Sequence, residues 1–364
     1  MLVSGSLPPQ RCGVGDYTAQ LAATLAGQGD QVAVLTGVWG ERPAVIDGVE
    51  ILRGVDGWGV PATFRALRAI RRWRPELVHF QYPTANYGRW FIVPYLLPTL
   101  VFLLRIRQVM TWHEPFRILG LAPLPNNPGV LPNTLLPGGL ILVRSNFAGL
   151  VAGWFRLTRK IKRVRYIRSA ASIPPSGLDT AGRAALRQRL LDGRERLVVY
   201  FGFAYPNKGV EQLFDIVDPV RDRLVLACEL DARQPYQQSL LQRLQEPAWQ
   251  AAVRVTGFQP ATVVADLLAV ADAVVLPFPG GGGDWNTSIL AVWQQGTLLL
   301  TTSLTRSGYC AAENTCYARP GDTAALRRAL DTHAGAKIPV DPESFGWARV
   351  ADEHRALYAE VVAA

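Results

Sequence analysis

The sequence predicts two α/β units in tandem, each a parallel sheet with helices on both faces. Three observations carry this. Short β-branched runs alternate with helical stretches along the chain. The alternation halts at a small, proline-bearing segment, Ser169-Ala-Ala-Ser-Ile-Pro-Pro-Ser176, and then restarts. A length of 364 residues is long for one core and suits two domains of ordinary size.

In the first half, strands are predicted at Leu2–Ser6, Gln31–Thr36, Val49–Arg53, Leu77–Gln81, Gln108–Trp112, Leu140–Arg144 and Val164–Ile167. Helical stretches such as Tyr17–Ala26 lie between most of them. In the second half, Leu197–Phe201, Leu224–Cys228, Val253–Thr256, Ala273–Leu276 and Leu298–Thr301 read as strands. Val210–Val217, Thr262–Ala269 and Thr287–Gln295 read as helices. Each half has the size of a Rossmann-like unit. A last helix over about Ser344–Val362 has no strand after it and is expected to pack across the domains. The expected boundaries are therefore 1–172, 173–343 and 344–364.

Four scattered cysteines, Cys12, Cys228, Cys310 and Cys316, have neither metal-ligand nor disulfide-framework spacing and suit a reducing compartment. The net charge of +9 is one-sided. Residues 1–175 carry 20 Arg plus Lys against 8 Asp plus Glu, a surplus of +12, whereas the rest has 18 against 21. The surplus gathers at Arg65, Arg68, Arg71, Arg72 and Arg74, and again at Arg156, Arg159, Lys160, Lys162, Arg163, Arg165 and Arg168. Such a surface attracts anionic lipid or nucleic acid, or is simply a solvated face. Aromatic residues are not interleaved with the basic runs, which argues against nucleic acid. No basic leader precedes Leu2-Val3, and the apolar stretch Phe91 to Leu104 is too short to span a bilayer and holds Pro94 and Pro98. The expectation is a cytoplasmic protein, soluble or peripheral on the inner face of the membrane.

Candidate sites cluster where predicted strands end. The first such loop closes on Cys12-Gly13-Val14-Gly15-Asp16-Tyr17, whose glycines before a helix suit a phosphate. As a dinucleotide fingerprint it is poor, because Thr18 takes the third glycine's place and no acid follows the second strand at Thr36-Gly37. An ordinary tight turn accounts for it equally well. His79 and His113 sit on two strands, His113 at a carboxyl end followed by Glu114. Tyr200-Phe-Gly-Phe-Ala-Tyr-Pro-Asn-Lys-Gly209 places Lys208 before a helix, able to meet a leaving diphosphate as a point charge. After Leu276, the run Gly280 to Gly283 precedes Asp284, Asn286, Thr287 and Ser288. Those last three can cap a helix, and the loop is expected to leave several N–H groups free for phosphate oxygens. No D-x-D pair, P-loop or nucleophile motif occurs, so neither a carboxylate-held metal nor a cofactor is expected.

At these residues the chain resembles glycosyltransferase family 4, whose fold is GT-B, two Rossmann-like domains with parallel sheets facing a central cleft. The resemblance spans nearly the whole chain. It rests on the ordered set formed by the opening loop with Gly29-Asp-Gln-Val32, Pro75-Glu-Leu-Val-His-Phe-Gln81, Met110-Thr-Trp-His-Glu114, Gly202 through Lys208-Gly209, Val255-Thr-Gly-Phe258, Ala271-Asp-Ala-Val-Val-Leu-Pro277 and Glu313 through Asp322. It implies a nucleotide-sugar donor and transfer with retention. Gly13 and Gly15 would lie under the donor phosphates, and His113 would face the sugar. Gly202, Lys208, Gly283, Asn286, Thr287 and Ser288 would hold the diphosphate, and Asp16, His79 and Glu114 are acceptor-side candidates. Three positions depart from the family pattern. Phe203 replaces an arginine, and Gly283 and Ala291 replace a glutamate pair that contacts donor sugar and ribose. Asp284, one residue along, can stand in for the first glutamate.

Two readings follow. One is a retaining, metal-independent transferase in polysaccharide biosynthesis, acting on a lipid-linked or polysaccharide acceptor, with its basic half on an anionic membrane. The other is a catalytically degenerate binding or scaffolding subunit. Titration with nucleotide diphosphates separates them. A nicotinamide enzyme is disfavoured by the missing ribose-holding acid.

Overall fold

A computed structural model describes residues 1–10, 12–37, 45–55, 59–82, 93–113, 135–144 and 163–364. The chain divides into two compact units, Met1–Ser169 with Trp347–Ala364, and Ala170–Gly346.

In the first unit β1 (Leu2–Ser4), α1 (Gly13–Gly27), β2 (Val32–Gly37), β3 (Val49–Val55), α2 (Val60–Trp73), β4 (Leu77–Tyr82), α3 (Val93–Leu103), β5 (Arg107–Trp112), β6 (Gly139–Leu142) and β7 (Val164–Tyr166) follow in order. The strands form one parallel sheet ordered β3-β2-β1-β4-β5-β6-β7. Strands β1, β2, β4 and β6 are buried along their whole length, as a sheet covered on both faces requires. Helix α1 packs on β1, β2 and β3, while α2 packs on β3 and against α3, which lies on β5. The right-handed rule for such crossovers puts α1 on one face and α2 with α3 on the other.

The second unit begins with α4 (Thr180–Leu191), capped by the Asp179 carboxylate on Gly182 N–H at 2.7 Å. Next come β8 (Arg196–Phe201), α5 (Leu213–Ile216), β9 (Asp222–Ala227), α6 (Pro235–Leu244), α7 (Pro247–Gln250), β10 (Val253–Val255), α8 (Ala261–Val270) and β11 (Ala273–Leu276). The unit ends with α9 (Thr287–Gln294), β12 (Leu299–Thr302), β13 (Gly308–Cys310), β14 (Thr315–Ala318) and α10 (Thr323–His333). The sheet order is β10-β9-β8-β11-β12-β14-β13, parallel except for β13. Disregarding the outermost strand of each, both sheets share the order 3-2-1-4-5-6, with the switch point beside the first strand. Its core runs through Leu197–Tyr200, Val274–Leu276 and Ile289–Trp293.

Two departures from the sequence reading have local causes. β13 and β14 are not among the expected strands, because Gly308-Tyr-Cys310 holds no β-branched residue and Thr315-Cys-Tyr-Ala318 holds one. They owe their strand form to pairing, β14 with β12 and β13 with β14. The helix expected over 210–217 is a 3₁₀ turn, Val210–Gln212, and one α turn. It starts from left-handed Gly209 and stops at extended Val217, two residues before Pro219.

The last helix, α11 (Trp347–Val362), packs on α1, β5 and β6 of the first unit. Its buried Val350, His354, Leu357 and Val361 recur at helical spacing. Gly138 and Gly139 make room for it. A Cβ there would come within 2.9 Å of Val361 and 3.2 Å of Leu357.

Candidate active site

In the second unit the switch point lies between β8 and β11, and their two following loops meet there. The turn after β8 passes Gly202 at φ 139° and ends at Gly209 at φ 69°. A Cβ on Gly209 would overlap the Pro277 carbonyl, which also accepts from Gln212 Nε2 at 3.2 Å. Only glycine permits this approach. It brings Lys208 beside the loop after β11, with Nζ 5.2 Å from the Phe278 ring centroid. Phe203 and Tyr205 stack on each other at 5.6 Å, partly exposed, in the turn where the family carries an arginine.

The glycine run is a packed turn. Gly281 N–H donates to Phe278 O at 3.0 Å and Gly282 N–H to Thr302 O at 2.8 Å. A Cβ on Gly282 would come within 2.7 Å of Phe278 and 2.8 Å of Ile289, and one on Gly283 would overlap the Trp285 ring. The expectation of several free amides is corrected here. Gly283 N–H donates to Asn286 Oδ1 at 3.0 Å, so neither group is left for a phosphate, and Asn286 does not cap α9 with its side chain. What remains is the start of α9, whose first backbone bond is Leu290 N–H to Asn286 O at 3.1 Å. The amides of Thr287 and Ser288 precede it and lie at the positive helix end. Asp284 sits, half-buried, between Gly283 and Trp285. Ala291 is buried in the core face of α9, so no ribose contact comes from that position.

The first unit builds a different site. His113 follows β5, held by its own N–H on Tyr82 O at 2.8 Å. Its ring is 8 % exposed and lies edge-on to Tyr17 of α1, centroids 4.8 Å apart. Its Nε2 lies 2.7 Å from Gln81 Oε1. An amide oxygen only accepts, so Nε2 carries the proton and Nδ1 keeps its lone pair. Burial, reinforced by His354 and Arg144, lowers its pKa to about 3. His113 is thus a neutral imidazole, fit to accept a hydroxyl proton in a hydrogen bond and unfit to serve as a cation.

His79 lies in the core, 0 % exposed. Its Nδ1 pairs with Tyr358 Oη at 2.6 Å and its Nε2 with Thr111 Oγ1 at 2.7 Å. Burial, with His354 and His113 nearby, holds its pKa well below the ordinary histidine value. These contacts leave it a structural part and no acceptor ligand. Tyr17 Oη pairs with His354 Nε2 at 3.2 Å, and His354 Nδ1 donates to Val350 O at 2.7 Å. Gly15 is buried because a Cβ would come within 3.1 Å of Ser6 O, whereas one on Gly13 would meet nothing. Asp16 is exposed in the first turn of α1. Glu114 and the basic residues Arg156, Arg159, Lys160 and Lys162 lie outside the described residues.

The structure thus gathers Tyr17, Gln81 and His113 in one unit, and Lys208, Phe278 and the α9 start in the other. Sequence reasoning missed Gln81, although His79 and Gln81 two apart on one strand share a face. Tyr17 and His354 were missed because 337 positions separate them.

Two sequence families match, one per unit. Residues 12–135 match Glycosyltransferase Family 4, and residues 195–334 match Glycosyl transferases group 1. The chain belongs to glycosyltransferase family 4. It is a glycosyltransferase of the GT-B fold. Solved structures agree in fold. Sucrose-phosphate synthase from Thermosynechococcus elongatus matches at 16% identity and TM-score 0.65, covering 99% of this chain and 94% of that one. HepE of Anabaena, solved with UDP and glucose, matches at 15% and 0.64 over 99% and 94%. The catalytic domain of starch synthase IV from Arabidopsis thaliana, bound to ADP and acarbose, matches at 14% and 0.67 over 100% and 99%. Comparison with curated protein sequences gave no match. Among the described residues no helix is long and apolar enough to cross a membrane.

Proposed function

We propose that this glycosyltransferase moves a sugar from a nucleotide-sugar donor to a lipid-linked or polysaccharide acceptor, with retention and without a metal. One observation carries the reading: Gly209 folds Lys208 against the loop that leads into α9. A departing nucleoside diphosphate gains negative charge, and a fixed ammonium beside a helix start stabilises that charge. The fold relatives solved with UDP and with ADP support a diphosphate as the ligand. His113, neutral and rimmed by Tyr17, is suited to a hydroxyl of the transferred sugar.

The test is calorimetric titration with UDP, ADP and GDP, repeated on Lys208→Ala, followed by assignment of the product's anomeric configuration. Binding lost in the variant supports the reading. Wild-type protein that binds none of the three sinks it.

A second reading, a binding or scaffolding subunit without turnover, draws on Phe203, Gly283 and Ala291. Phe203 supplies no charge, Gly283 lies under Trp285, and Ala291 is buried. Absence of any diphosphate binding together with intact folding would favour it.

A further inference from the structure

We propose that the outer face of α2 and α3 docks on an anionic lipid bilayer. Helix α2 is strongly amphipathic. Ala62, Ala66 and Ile70 face the sheet, while Phe64, Arg68, Arg71 and Arg72 face out. Beside it, α3 ends with Phe102 and Leu103 exposed, followed by Leu104 and Arg105. Phe64 is 57 % exposed and Leu103 67 %.

This face combines arginines outside any ion pair with exposed Phe64, Phe102 and Leu103. The ion pairs of the first unit's described residues join Arg163 and Arg165 to Glu360, Arg349 to Glu353 and Arg355 to Asp30. Arg68, Arg71 and Arg72 take part in none. In the second unit Arg187, Arg196, Arg221 and Arg223 each face an acid, and Arg189, Arg319 and Arg328, which do not, serve as controls. Helix α2 carries no acid at all, and like charges three and four residues apart repel within it. An external polyanion relieves that repulsion.

The apolar side chains choose among polyanions. A nucleic acid backbone offers nothing to Leu103 or Leu104. A bilayer interface takes arginines at its headgroups and Phe or Leu just below them, the residue set of an interfacial helix. The occupant is therefore a lipid surface containing acidic headgroups. The inference deepens the proposed lipid-linked acceptor and rests on that reading only for its purpose, since the binding itself needs no turnover.

The experiment is flotation of the full chain with phosphatidylglycerol-containing vesicles and with pure phosphatidylcholine vesicles, across a salt series. Binding is expected to the first only, weakening as salt rises. The triple variant Arg68→Gln, Arg71→Gln, Arg72→Gln should lower the partition coefficient roughly tenfold or more. Phe64→Ser with Phe102→Ser should also weaken it, and more strongly in high salt, where the apolar share dominates. Arg189→Gln, Arg319→Gln, Arg328→Gln, all on the exposed surface of the other unit, should leave it unchanged. All variants sit on exposed positions, and urea midpoints confirm that they fold. The proposal is overturned if the wild type does not float with anionic vesicles. It is equally overturned if the control triple loses as much as the first, or if the phenylalanine variant partitions like wild type and a DNA duplex competes the protein off. Wild-type protein that fails to float yet transfers to a soluble acceptor would sink this surface alone, and floating protein without any transfer would sink only the proposed reaction.

Discussion

The His113 imidazole and the Gln81 side-chain amide are joined over 2.7 Å, with Gln81 in turn beside His79, 3.3 Å from its Nε2. This pairing sets which nitrogen of His113 is left to a ligand. Gln81→Leu should orphan a buried N–H at a cost of about 1–3 kcal/mol. It should lower transfer rate roughly tenfold or more while leaving nucleotide diphosphate affinity unchanged. Rates, calorimetric titration and urea unfolding measured side by side check this. An equal loss in affinity would assign Gln81 to the donor rather than to His113.

Lys208→Ala should weaken nucleoside diphosphate binding by roughly ten- to a hundredfold, the worth of a charged hydrogen bond. Lys208→Arg should recover part of it, since charge rather than shape is supplied. Calorimetry reads both.

Gly209→Ala faces a left-handed backbone and an overlap with Pro277 O at once. A loss of about 2 kcal/mol or more in the stability of the second unit is expected. A neutral result in urea unfolding would mean that the two loops do not meet as described.

Restoring the family's acid illuminates why it is missing. Gly283→Glu places its Cβ inside the Trp285 ring, so alone it should destabilise and gain no activity. Combined with Trp285→Ala the acid has room. Donor affinity of the double variant should exceed that of either single one.

Acid should loosen the first unit before the second. Burial lowers His113 to about 3 and His354 to about 4, against about 6.5 in the unfolded chain. The unfolded state therefore binds more protons below pH 6.5, and stability falls as pH drops through that range. Between pH 6.5 and 5 each histidine contributes a loss of about 2 kcal/mol. Urea unfolding at a series of pH values should show the transition of the first unit moving, and His354→Gln should flatten its slope. A midpoint that stays fixed down to pH 5 would contradict the neutral, buried placement of these rings.

Much of the fold was legible in the sequence because β-branched runs mark buried parallel strands wherever they occur, as at Val198-Val199 and Val274-Val275. β14 escaped because its pairing, and not its composition, makes it a strand. Lys208 and His113 were legible through ordered motifs. Gln81 gained meaning only when β5 laid His113 beside it, since the β4–β5 register sets Tyr82 opposite Trp112. The glycine run reads as open in the sequence, yet Phe278 and Ile289 fill the space beside Gly282, Trp285 that beside Gly283 and Leu304 that beside Gly281, with open space only at Gly280. Chemistry of single residues was visible in order along the chain, and partners folded in from far away were not.

Tyr17, His79 and the paired glycines Gly138 and Gly139 all wait on side chains of α11, with residues 170–346 translated in between. On the ribosome the first sheet must therefore stand with one apolar flank bare while the second unit is completed. The helix that seals it emerges only after the second unit, so deleting it should leave a chain whose second unit folds and whose first sheet recruits chaperones or aggregates.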